Sequence, residues 1–178
     1  MAFNTLVIVI PGETLILKLV AKYVTRYYGY VADKRKEDDA AVRQRLMSEI
    51  DKSKKYLSNV LEKAYKSNEP DVLGAVKALS NDLDVFSNEV QLSETGYRYP
   101  FFSPQTPITW GVLKKVIKYD LSTVETMCNA AEACRRVENA VIEKEDLNFV
   151  QELKKIRHYV TGARNDYRDR SDYIKRIV

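Results

Sequence analysis

The sequence predicts an all-α fold, an elongated antiparallel bundle of about five helices. Three observations carry that expectation. Apolar residues recur every three to four positions over long stretches. Gly and Pro number only 6 and 5 in 178 residues, so few breakers interrupt the chain. Strand-like content is confined to Leu6–Ile10, and a lone strand cannot satisfy its own backbone. At this length one domain, residues 1–178, buries a core without disulfides or metal.

A first helix is expected over residues 13–30. Leu15, Ile16, Leu17, Leu19, Val20, Tyr23, Val24, Tyr27 and Tyr28 make it apolar or aromatic around most of its circumference. Lys18, Lys22 and Arg26 recur every fourth residue and form one basic stripe. Gly29 supplies a stop.

A second helix, 38–67, carries the stripe Val42, Leu46, Ile50, Ser53, Leu57 and Ala64. Asp38 and Asp39 sit at its start and Lys63 and Lys66 in its last turn, which suits the helix dipole. A third, 70–92, follows Asn68 as N-cap and has Pro70 in the first turn, where proline is tolerated. Val72, Val76, Leu79, Leu83, Phe86 and Val90 mark its buried face.

Residues 93–106 form one long loop with four aromatics and two prolines. That composition points to a working surface or to a lid packed on a core. Thr106-Pro107 reads as the cap and first turn of a fourth helix, 107–142. Its stripe runs through Leu113, Ile117, Leu121, Val124, Cys128, Ala131, Cys134 and Val137. A fifth helix, 146–176, follows Leu153, Ile156, Val160, Ala163, Tyr167 and Ile174. Its last turns, 164–172, are so charged that they are expected to project or to need a partner.

Net charge is +4, too mild for a dedicated nucleic-acid binder. The distribution is uneven: residues 69–106 carry −4 and the rest +8, which suggests packing of opposite signs or a two-faced surface. Cys128 and Cys134 are six apart on one helix and point away from each other. They read as small buried thiols of a reducing, cytoplasmic chain. The apolar run before Pro11-Gly12-Glu13 is too short for a secretory signal, and the lysines of the first helix break any spanning segment, so membrane insertion is not expected.

Catalytic constellations are sparse. His158 is the only histidine and lies on the charged side of its helix, which argues against Ser-His-Asp, Cys-His and di-iron sites. Gly12-Glu13-Thr14 lacks the second glycine and the lysine of a phosphate loop. Asp166, Asp169 and Asp172 share a helix face, but Arg164, Arg168 and Arg170 interleave with them, and local ion pairing is the simpler reading. No enzyme activity, cofactor or metal is therefore expected.

What remains is interaction. An apolar helix is costly to leave in water, so the first helix and the aromatic loop are the candidate surface for a protein partner or a second copy: Leu15, Leu19, Val24, Tyr27, Tyr97, Tyr99, Phe101 and Phe102. A second possibility is phosphate binding by the basic helical residues Lys52, Lys54, Lys55, Lys114, Lys115, Lys118, Arg135 and Arg136. A third is docking of the first helix on an anionic membrane surface, with its tyrosines at headgroup depth.

Overall fold

The computed structural model describes residues 11–145 and 147–177. These form five helices: α1 (Pro11–Ala21), α2 (Arg35–Lys66), α3 (Pro70–Leu92), α4 (Trp110–Glu143) and α5 (Phe149–Lys175). The strand-like Leu6–Ile10 lies outside the described residues.

Side-chain contacts fix the directions of the four long helices. Lys54 meets Asp84 and Ser87 meets Met47, so α2 and α3 run antiparallel. Ser122 meets Asp166 and Asp120 meets Arg170, so α4 and α5 do too. The two hairpins then lie side by side. Arg45 reaches Cys128 and Asn59 reaches Glu138, so α2 and α4 rise together. Asp82 meets Arg157 and Glu89 meets Arg164, so α3 and α5 descend together. Helices α3 and α4 therefore face each other across a diagonal. That explains the long link between them: it must cross the whole end of the bundle. It does so in two 3-10 turns, Ser93–Arg98 and Pro100–Phe102.

The apolar stripes meet in one core. Leu46, Ile50 and Leu57 of α2, Val76, Leu79 and Leu83 of α3, Ile117, Val124 and Met127 of α4, and Leu153, Ile156 and Val160 of α5 are all buried. At about 1.5–3 kcal/mol per large apolar side chain, burial along these rods is the main driving force. The acidic third helix packs by sign as its composition suggested: Asp82 and Glu89 face arginines of α5, and Asp84 faces Lys54.

Several expected boundaries move. α3 spans 70–92 as predicted, though its cap is Glu69, and Asn68 instead turns the chain with φ 55°. α4 begins at Trp110 with Thr109 as cap. The Thr106-Pro107 start fails because the Thr106 carbonyl accepts from Arg35 Nη1 at 3.0 Å and stays in the crossing link. α5 begins at Phe149, where Asn148 accepts the Gln151 N–H. The largest correction is α1. It ends at Ala21, not near residue 30, and residues 22–34 turn back toward the bundle. Arg26, Gly29 and Tyr30 all take left-handed φ, of 60°, 73° and 62°. Glycine is needed at 29 for a second reason: a Cβ there would lie 2.6 Å from Leu17 Cδ2.

Candidate functional site

Helix α1 lies outside a bundle that α2–α5 already close, and its principal contact is α4. Ile16 and Val20 are buried against the core, while Leu15 is 62% exposed and Lys18 and Lys22 face water. Leu19 is half-buried. The helix thus has one face committed to its own chain and one free.

The turn that follows α1 is fixed to the bundle by polar bonds. Asp38 accepts the Tyr28 N–H at 2.7 Å and the Tyr30 N–H at 2.6 Å, holding the left-handed turn. The Tyr27 hydroxyl donates to Asp120 at 2.7 Å. Arg170 of α5 donates from Nη2 to Asp39 at 2.7 Å, and also bonds Asp120 and the Tyr30 hydroxyl. Arg43 bonds Asp39 at 3.0 Å and the Tyr97 hydroxyl. Arg35 ties down the crossing link by donating to the Phe101, Ser103 and Thr106 carbonyls. Three arginines and three aspartates, all buried, thereby join α1's turn, α2, α4, α5 and the link at one end of the bundle.

The electrostatics follow from burial. Loss of solvent pushes the Asp38 carboxyl up to about 6, even though the two backbone N–H groups favour its charged form. Burial likewise raises Asp120, against the pull of Arg170. Arg170 stays protonated: burial opposes its charge, but Asp120, Tyr30 and Asp39 together outweigh it. Tyr27 and Tyr30 are raised well above the usual phenol range, chiefly by burial. Groups so matched in charge and so fully bonded hold structure. They do not present a nucleophile or a base with an open partner.

The candidate interface residues separate under this geometry. Val24, at 1% exposure, and Phe101 and Phe102 are part of the chain's own core. Phe101 stacks edge-on with Tyr30 at 5.3 Å and with Phe102 at 5.0 Å, so the aromatic loop is a lid plugging the bundle end. Tyr27, Tyr97 and Tyr99 are half-buried, the first two through their hydroxyl bonds. Of the candidate residues Leu15 is exposed and Leu19 half-buried. The end of α5 does not project, contrary to expectation. Arg170 is 2% exposed, and Tyr167 and Ile174 are buried beside it.

The basic residues do not form one surface. Lys52 pairs with Glu49 at 2.8 Å, Lys54 with Asp84, and Arg135 with Glu132. Lys115 lies 4.3 Å above the Tyr173 ring. Lys55, Lys114, Lys118 and Arg136 are exposed. Lys114–Lys118 and Arg135–Arg136 are separated by about 30 Å along α4 at 1.5 Å per residue. His158 is exposed on α5. Asp166 accepts from Ser122, and Asp172 pairs with Lys175 at 3.0 Å. Among the described residues no group of three metal-ligating side chains converges, and no helix is long and apolar enough to cross a membrane.

Sequence reasoning missed Arg35, Asp38, Asp39, Arg43, Asp120 and Arg170 as buried groups. A signal was present. Asp38 and Asp39 precede Val42 by one turn, Asp120 lies between Ile117 and Val124, and Arg170 lies between Tyr167 and Ile174, all in register with the apolar stripes.

Comparison with known proteins adds no neighbour: the chain matches no protein family, no curated protein and no solved structure.

Proposed function

We propose that this chain is a non-enzymatic assembly protein that associates with a second copy of itself through the outer face of α1. The observation that supports this is the two-sidedness of that helix. It is added to a bundle that is already closed, yet a polar network of six buried charged residues fixes its turn in place. Its outer face still carries Leu15, 62% exposed, with Leu19 half-buried one turn on. Holding an apolar helix rigidly at the surface is understandable if another surface covers it. The flanking Lys18 and Lys22 then snorkel to the rim, where charge is tolerated.

The test separates interface from fold. Leu15→Asp removes the outer apolar contact without touching the core. In sedimentation velocity the wild type should run as an oligomer and Leu15→Asp as a monomer with an unchanged melting temperature. Val24→Asp, by contrast, buries a charge in the chain's own core and should unfold it. Identical sedimentation of wild type and Leu15→Asp as oligomers would move the interface elsewhere.

A further inference from the structure

We propose that the outer face of α1 docks on the far end of a second copy, in the cleft between the ends of α2 and α4 and the start of α5. This rests on the self-association proposed above and adds which surface receives α1.

Charge argues against α1 pairing with α1. Lys18, Lys22 and Arg26 are exposed along this segment, and none is ion-paired among the described residues. Against these three stands one carboxylate bonded to the same segment, Glu125 of α4, which accepts from the Tyr23 hydroxyl at 3.1 Å. The face thus carries two positive charges in excess. Pairing it with itself would bring both excesses together, and like charges across an interface cost affinity. A contact between two different surfaces escapes that cost. The receiving surface has to be apolar where it meets Leu15 and negative around it.

The far end fits that description. α2 ends there at Lys66 and α4 at Glu143, and α5 starts there at Phe149. Two adjoining clefts, of about 450 and 210 Å³, share Val60, Val141 and Ile142 in their walls. Ile142 is 57% exposed, and Tyr65 and Leu147 are exposed at the same end. The lining sets three lysines, Lys63, Lys66 and Lys144, against four glutamates, Glu62, Glu69, Glu138 and Glu145. Glu143, exposed beside Ile142, is a fifth carboxylate. The excess is two negative charges, matching α1 in size and opposite in sign. Leu92 is exposed beside another cleft, but there Arg168, Arg170 and Lys175 balance Asp39, Glu89 and Asp172, so α1's cations find no net attraction. In the docked pair Leu15 enters the apolar cleft, and Lys18 and Lys22 meet glutamates at its rim.

Mixing two variants of the full chain tests this by sedimentation velocity. Ile142→Asp alters the far end alone, and because Ile142 is exposed its melting temperature should stay at the wild-type value. Like Leu15→Asp, it should be a monomer where the wild type associates. A mixture of the two should regain a species of about 41 kDa, twice the 20.5 kDa chain, since one variant keeps α1 and the other keeps the far end. Glu69→Lys combined with Glu145→Lys leaves the apolar residues in place and should weaken association at least about tenfold. If Ile142→Asp associates like the wild type while Leu15→Asp does not, this proposal falls and self-association through α1 stands. If the mixture stays monomeric, the proposal falls too. A wild type that is itself monomeric removes both.

Discussion

The middle of the bundle and its charged end are built on opposite principles. In the middle, Leu57, Leu79, Met127 and Leu153 are buried apolar side chains, and each contributes by leaving water. At the end, Arg170, Asp39 and Asp120 are just as deeply buried, and their attraction has to offset the loss of their own hydration. Apolar layers tolerate small adjustments. A buried ionic cluster does not, because deleting one partner strands the others. The contrast also assigns different tasks: the apolar layers set the helices side by side, whereas the charged end specifies where α1 and the crossing link attach.

Breaking each region separately should expose the difference. Arg170→Ala is expected to have the largest effect. It leaves Asp39 and Asp120 in a dry site facing each other, a loss of about 3–5 kcal/mol in urea denaturation. Combining it with Asp39→Asn and Asp120→Asn should recover a substantial part of that loss, because the stranded charges are gone. Leu57→Ala creates a cavity in the middle and should cost about 2–4 kcal/mol, with no comparable rescue by polar changes nearby.

The pH dependence sharpens the comparison further. Asp38 has a folded-state value of about 6, above its ordinary 3.8. The folded chain therefore takes up this proton before the unfolded chain does. Its contribution to stability is greatest below about pH 4 and is lost as pH rises through 6. Wild type should gain roughly 2–3 kcal/mol from this group between pH 7 and 4. Asp38→Asn should remove that slope. Glu89, pulled below its ordinary range by Arg164 and Arg168 although burial resists, acts in the opposite sense at acid pH. The quantity to measure is therefore the difference between wild type and Asp38→Asn across the pH series. Gly29→Ala should have the smallest effect, about 1–2 kcal/mol. It forces a side chain into left-handed backbone and against Leu17, a flexible neighbour able to move.

The same contrast explains what was legible in the sequence. Helices α2 to α5 follow from apolar spacing, and α3 from Pro70 and Leu92 outward matches its expected span. The sign-matched contact of α3 with α5 also follows, from the −4 of residues 69–106. The charged end does not. Hydropathy assigns Asp38, Asp39 and Arg170 to water, and nothing local reveals that a partner lies 131 positions away. The premature end of α1 has the same origin. Tyr27 reads as a helix-face aromatic, but its hydroxyl finds Asp120, and the Tyr30 hydroxyl beyond it finds Arg170; those distant bonds outweigh continued helix. Thr106-Pro107 fails as a helix start for a similar reason, since Arg35 claims the carbonyl. That α1 is apolar around most of its circumference was legible. Which of its residues stay exposed was not, because that depends on where the turn after Ala21 leads.

Light scattering on the wild-type chain over a concentration series tests the central proposal most directly. One chain weighs 20.5 kDa. A covered α1 face predicts a molar mass of at least about 41 kDa, twice that value, at micromolar concentration and above. A mass that stays at 20.5 kDa throughout would contradict it.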